Sequence, residues 1–236
     1  HAGYRSRLEN LARVEGVDLM VGSVTQSPTG GIHNSAVLVR ARGGVSTIYA
    51  KQRLVPFGEY LPMRWLLGNA QALATEAGDF EPGTQAMIHP SGSGRIGALV
   101  CYEAVFPQLG IEYAHSGADL LVTMTNDSWF GLTSGPKQHL AHSLPRVWET
   151  RLPLLRAANS GISTIVDGDG RVLASLGTGE RGVLVETVGI GRRMPPAARW
   201  VDRALRWACA ILALVSLGVA LWPRGRARPA NAEQEN

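Results

Sequence analysis

Between Leu205 and Trp222 the chain is apolar except for Arg206 and Ser216, and it has no other apolar run of that length. As a helix this stretch would span roughly 27 Å, close to the ~30 Å hydrocarbon core of a bilayer. Trp207 and Trp222 sit towards its two ends, where amphipathic rings favour the headgroup level, and Arg206 is near enough to one boundary to extend its charge outward. Pro223, Arg224, Arg226 and Arg228 follow, as at a membrane stop. The sequence therefore predicts a globular domain over 1–200, a transmembrane helix over 201–223 and a polar basic tail over 224–236. A buried core helix is the alternative reading. Charge does not fix an orientation, because Arg199, Arg203 and Arg206 balance the arginines beyond.

The net charge of +4 comes from scattered arginines, without aromatic interleaving or a nucleic-acid motif. An anionic membrane surface accounts for the same excess, so a membrane is expected as a partner and nucleic acid is not. Of the two cysteines, Cys101 follows a predicted strand and Cys209 lies inside the apolar run, so both are read as free thiols. The chain opens on His1 with a polar amphipathic helix instead of a signal peptide, and a missing upstream part is expected.

Helical spacing covers Tyr4 to Glu15, with Gly16 at the stop. Strands are predicted over 18–23, 35–39, 45–49, 95–100, 119–125, 154–157, 163–166, 171–175 and 182–188. Gly43-Gly44 and Asp167-Gly-Asp-Gly are read as hairpin turns. Helices are predicted over 108–116 and 137–151, the second kinked by Pro145. Alternating strands and helices with several hairpins indicate a mixed α/β layered domain. The stretch from Arg53 to Gly83, rich in Pro, Gly and aromatics, is too long for a plain connector and is read as a functional flap.

A thiol becomes a strong nucleophile as a thiolate, which a nearby ammonium group stabilises. Cys101 stands at a strand end, and the amide of Tyr102 after it is placed to face an oxyanion. Lys51 also follows a strand directly. Glu59 sits in Val55-Pro-Phe-Gly-Glu-Tyr, either as a site carboxylate or as a loop-stabilising acceptor. Taken alone, each of these residues also has an ordinary structural reading: a buried cysteine, a solvated lysine.

Four strings in order along the chain settle the choice by resemblance. Tyr49-Ala-Lys-Gln-Arg-Leu-Val-Pro-Phe-Gly-Glu-Tyr-Leu-Pro, Gly97-Ala-Leu-Val-Cys-Tyr-Glu-Ala-Val-Phe-Pro, Asn126-Asp-Ser-Trp-Phe-Gly and Leu154-Leu-Arg-Ala-Ala-Asn-Ser-Gly-Ile together resemble the apolipoprotein N-acyltransferases. These are a membrane branch of the carbon-nitrogen hydrolase (nitrilase) superfamily. The resemblance implies a four-layer α-β-β-α nitrilase-like sandwich on the periplasmic side of the bacterial inner membrane, followed by a C-terminal transmembrane helix. It implies Cys101 as nucleophile, Lys51 as the triad lysine, Glu59 as an additional site carboxylate, and Tyr102 and Glu103 as a functionally sensitive pair. A phospholipid acyl donor and an apolipoprotein acyl acceptor follow, with no cofactor. Trp65, Phe57, Trp129 and Phe130 are candidates for admitting acyl chains. The superfamily's general-base Glu, from an upstream Trp-Pro-Glu type segment, has no match here, and neither Glu9 nor Glu15 fits it.

Other chemistries fit less well. His89 and His115 lie in no motif suited to a Cys-His hydrolase, and His139 with His142 lacks a third metal ligand at suitable spacing, so no metal is expected. A soluble nitrilase-type amidase would have no reason for the apolar run, and a non-catalytic module that merely retains the fold stays open because the Glu segment has no match.

Overall fold

The computed structural model describes residues 2–63, 79–131, 133–191 and 198–221. The chain divides into two compact units, His1–Pro195 and Pro196–Asn236.

The first unit holds two sheets. β1 (Leu19–Gln26), β2 (Ile32–Val39) and β3 (Val45–Ala50) form an antiparallel meander. Its second turn runs through Gly43 and Gly44 at φ +83° and +86°, a conformation that glycine adopts without a Cβ penalty. The larger sheet runs β4 (Ile88–Ser91), β5 (Gly94–Val100), β6 (Leu120–Asn126), β7 (Leu154–Asn159), β8 (Ser163–Val166) and β9 (Val172–Leu176), in that spatial order. β5, β6 and β7 are parallel, and the flanking pairings are antiparallel.

Side-chain alternation sorts the apolar residues into layers. On β2, Val37 and Val39 pack with Ala12 of helix α1 (Ala2–Glu15), while Ala36 turns to the opposite face and meets Ala98 and Val100 of β5. On β5, Leu99 faces away from the small sheet, into a core shared with helix α2 (Pro107–His115) and with Val147 of helix α4 (Pro145–Thr150). The order is thus helix, sheet, sheet, helices. Gly97 permits that closeness, since a Cβ there would lie 2.6 Å from the Tyr113 ring.

The expected helix over 137–151 is two helices, α3 (Gly135–Ser143) and α4, joined at Leu144, because Pro145 has no N–H to continue the ladder. The strand expected over 182–188 is not formed. That stretch has no regular structure, and Val183 and Val185 are 86% and 84% exposed; its alternation is that of a strand, but it has no pairing edge among the described residues.

In the second unit, helix α5 (Ala198–Leu221) has 24 residues, with Leu205, Trp207, Leu212, Leu217 and Val219 exposed. Among the described residues no helix is long and apolar enough to cross a membrane. Trp222, Pro223 and the basic tail lie outside the described residues.

Candidate active site

The parallel strands β5, β6 and β7 end together at Cys101, Asn126 and Asn159, and ligands of open α/β sheets gather at such carboxyl ends. Cys101 opens a short 3₁₀ turn, Cys101–Val105, with φ +53°. A non-glycine residue there is strained by about 1–3 kcal/mol and persists only where its surroundings hold it. Cys101 is partly exposed and packs on the inter-sheet cluster of Ala36, Tyr49, Ala98 and Val100.

Glu103, two residues on, is fully buried and binds two segments at once. Its Oε2 accepts from the Val100 amide at 2.8 Å. Its Oε1 accepts from the Tyr49 hydroxyl at 2.7 Å and from the amides of Gln52 and Arg53 at 2.7 and 3.1 Å. The chain that carries Lys51 is therefore fastened to the turn that carries Cys101. Burial pushes the Glu103 carboxyl up, and the four donors offset only part of that rise. Burial, with the neighbouring Glu103 charge, also drives the Tyr49 hydroxyl far above its ordinary range, so it remains a donor.

Lys51 is fully buried, and its Nζ lies 2.6 Å from Glu59 Oε2. The same carboxylate accepts from the Val55 amide at 2.8 Å and, through Oε1, from Asn34 Nδ2 at 2.8 Å. The Val55-Pro-Phe-Gly-Glu-Tyr string makes this possible by folding into a tight turn. The amides of Gly58 and Glu59 donate to the Val55 carbonyl, and Phe57 takes φ +63° with its ring exposed. Of the two sequence readings of Glu59, the loop-stabilising acceptor is seen directly in the bond from the Val55 amide.

Around the strand ends Phe57, Tyr60, Tyr102 and Trp129 are exposed, Trp129 by 70%. Tyr102 meets the Phe106 ring edge-on at 5.0 Å, and Arg53 lies 5.8 Å from the same ring. Phe130 is exposed as well, and it packs against Gly135 and, at 5.7 Å, the His139 ring. Trp65 lies outside the described residues, as do residues 64–78 of the expected flap.

Sequence reasoning missed a buried polar cluster below the elbow. Asp127 Oδ1 is 2.9 Å from His139 Nδ1 and accepts from the Thr125 hydroxyl at 2.8 Å; its Oδ2 accepts from Arg156 at 2.7 Å. His139 Nε2 reaches the Cys101 carbonyl at 3.3 Å. The available signals were Asp127 and Arg156 inside the quoted strings and a histidine on a helix face. His139 is buried and His142 exposed, while His89 is buried against Thr47.

Burial alone would push Asp127 up, but the His139 hydrogen bond and the Arg156 charge outweigh it and hold its carboxyl low. The amides of Ala41 and Gly92 do the same for Asp18. A folded-state carboxyl held below its unfolded value stabilises the fold above the ordinary aspartate range near about 4, and that contribution drains as pH falls beneath it. The melting temperature is therefore expected to drop as pH is lowered from about 5 to about 3. Asp18→Asn should flatten part of that slope, as read by circular dichroism melts across the series.

The Carbon-nitrogen hydrolase family model matches residues 4–193. The chain belongs to the carbon-nitrogen hydrolase family. Among its relatives in that family, the apolipoprotein N-acyltransferase of Geobacter metallireducens is 40% identical over 220 residues, which cover 92% of this chain and 42% of that protein. The apolipoprotein N-acyltransferase of Pseudomonas syringae pv. tomato is 34% identical over 223 residues, 93% of this chain and 43% of that protein. The chain thus spans less than half the length of these two relatives. Among solved structures, the carbon-nitrogen hydrolase from Helicobacter pylori G27 superposes with a TM-score of 0.61 at 18% identity, covering 76% of this chain and 65% of that one, a likeness of fold. An amidase from Nesterenkonia, captured after Michael addition of acrylamide at its active-site cysteine, superposes with a TM-score of 0.55 at 27% identity, over 75% of this chain and 65% of that one. The nitrilase-like α/β sandwich is the fold of this chain.

Proposed function

We propose that this carbon-nitrogen hydrolase domain carries the acyl-transfer centre of an apolipoprotein N-acyltransferase, with Cys101 as nucleophile and Lys51 as its cation. The observation that carries this reading is the Glu103 clamp, which fastens the buried Lys51–Glu59 pair to the turn that presents the thiol. The apolipoprotein N-acyltransferase relatives supply the substrate class.

In the first half-reaction the Cys101 thiolate attacks the ester carbonyl of a phospholipid. The C–S bond forms, and the tetrahedral oxyanion is stabilised by the Lys51 ammonium and the Tyr102 amide. Collapse breaks the C–O bond and releases a lysophospholipid, whose alkoxide takes up a proton. In the second half-reaction the α-amine of a lipoprotein's diacylglyceryl cysteine attacks the thioester, loses a proton and displaces the Cys101 thiolate. Proton transfer in both halves calls for a carboxyl group with an available oxygen. Glu59 and Glu103 are committed to Lys51 and to backbone and side-chain donors. The reading assigns that role to a third carboxylate, from the part of the longer relatives that this chain does not cover. Glu59 then positions Lys51, and Glu103 positions the two segments.

The reading includes anchoring of α5 and the residues after it in the inner membrane, with the catalytic domain on the periplasmic side. Support comes from the apolar run, the exposed apolar side chains on α5 and the arginines after Pro223. Phe57, Tyr60 and Trp129 offer the acyl chain an apolar rim at the strand ends.

The test is to trap the intermediate. Membrane vesicles containing the protein are given phosphatidylethanolamine with a labelled acyl chain and no acceptor. A hydroxylamine-labile adduct is expected on the Cys101 peptide, discharged when a diacylglyceryl-cysteine peptide is added. A Cys101 peptide that stays unmodified under these conditions would overturn the assignment.

A further inference from the structure

The Asn126-Asp-Ser-Trp-Phe-Gly and Leu154-Leu-Arg-Ala-Ala-Asn-Ser-Gly-Ile strings hold neither the thiol nor the lysine, yet both converge beneath the elbow formed by the Cys101 turn. Asp127 opens a 3₁₀ turn after β6, Arg156 lies on β7, and His139 comes from α3. All three are buried, and their mutual distances are 2.7 to 3.1 Å. The guanidinium is also held by the Ile162 carbonyl at 3.1 Å and the Ser143 hydroxyl at 3.4 Å. Gly161 leaves room for the pair, because a Cβ there would stand 2.2 Å from Asp127 Oδ2. So closed a network is costly to bury unless every member is satisfied, and it reaches the elbow through His139 Nε2 on the Cys101 carbonyl.

Hydrogen bonding accounts for a proton on that nitrogen. His139 Nδ1 stands 2.9 Å from Asp127 Oδ1 and Nε2 stands 3.3 Å from the Cys101 carbonyl, and both oxygens are acceptors. An imidazolium ring donates to both. The neutral Nδ1–H tautomer sets a bare Nε2 against the carbonyl, and the neutral Nε2–H tautomer sets a bare Nδ1 against the carboxylate, with only Arg156 at 3.1 Å to share it.

We propose that Asp127, His139 and Arg156 are positioning residues for the acyl-transfer centre: they hold His139 Nε2–H on the Cys101 carbonyl and so fix the left-handed elbow that presents the thiol. The elbow is then gripped on both sides, by Glu103 on the Val100 amide and by His139 on the Cys101 carbonyl. Arg156 adds a buried positive charge that interacts with Cys101. The inference rests on Cys101 being the nucleophile.

Two amide substitutions separate the contacts. His139→Gln places an N–H near the position of Nε2, whereas His139→Asn reaches only as far as Nδ1 and keeps the Asp127 side. Alkylation of Cys101 by iodoacetamide is followed by peptide mass across pH 5 to 9, with added glutathione as the reference thiol and melting temperature as the check on folding. The Asn variant is expected to react about tenfold more slowly at pH 7, with its rate profile displaced to higher pH. The Gln variant should stay within about threefold of wild type. Equal rates and profiles in wild type, Gln and Asn would overturn the positioning role. Wild-type Cys101 reacting no faster than glutathione at pH 7 would instead overturn its assignment as nucleophile. A measurement on the unaltered protein completes the test: long-range ¹⁵N–¹H spectra of labelled histidine should show His139 Nε2 protonated, and a bare Nε2 would overturn the proposal even if the Asn variant fails to fold.

Discussion

Lys51→Met is expected to lower acyl transfer by about 10³-fold, and to do so for a reason separable from its effect on stability. Removing one preorganised charge from an oxyanion site costs about 10²–10³ in rate, and here the same ammonium also serves the thiolate. Lys51 is fully buried on Glu59, so the single substitution leaves a largely buried carboxylate without its cation. Breaking such a pair from one side costs about 3–5 kcal/mol. The melting temperature should fall at about 2–4 °C per kcal/mol for a chain of this size. Adding Glu59→Gln removes the stranded charge and keeps one acceptor oxygen, for the Val55 amide; its NH₂ then meets Asn34, whose side-chain amide can turn its own oxygen to accept. The double variant Lys51→Met/Glu59→Gln should therefore recover most of the melting temperature and none of the transfer rate. The assay is acyl transfer from labelled phospholipid to a diacylglyceryl-cysteine peptide, at equal folded protein. Recovery of activity along with stability would show Lys51 to be a structural cation only.

How much of this was legible in the sequence depends on whether a feature is local. The alternation of β2 and β5, the Gly43-Gly44 turn and the break at Pro145 are set by neighbouring residues, and they appear where the pattern puts them. β4 escaped notice because Ile88-His-Pro-Ser contains a proline, which demotes a strand in any local reading; β4 is an edge strand, where a missing donor is tolerated. Residues 182–188 failed in the opposite direction, since a strand exists only by pairing. Cys101, Lys51 and Glu59 were singled out through resemblance; from residue type alone each also had an ordinary structural reading. The Asp127–His139–Arg156 cluster draws on three elements across 30 residues of sequence, joined only when β6 and β7 lie side by side. No spacing rule encodes that meeting.

Glu103→Leu is expected to be the most destabilising single change at the site, and Glu103→Gln shows why. The carboxylate takes three donors on Oε1 and one on Oε2, all in a fully buried position. Leucine offers no acceptor, so the Tyr49 hydroxyl and the amides of Val100, Gln52 and Arg53 lose their shared partner. At about 1–3 kcal/mol for each buried donor left unmet, partial relaxation still leaves a loss of about 4 kcal/mol or more. Glutamine keeps one carbonyl oxygen, enough for the three Oε1 donors, but its NH₂ must then face the Val100 N–H. That single donor–donor contact sets an expected cost of about 1–3 kcal/mol. The Val100 amide is the one that precedes the elbow, so Glu103→Gln should slow Cys101 alkylation even at temperatures where the variant remains fully folded. Urea unfolding of the two variants, read beside that alkylation rate, provides the check. Leucine and glutamine variants of equal stability would mean that the Glu103 hydrogen bonds do not hold the Lys51 segment to the turn.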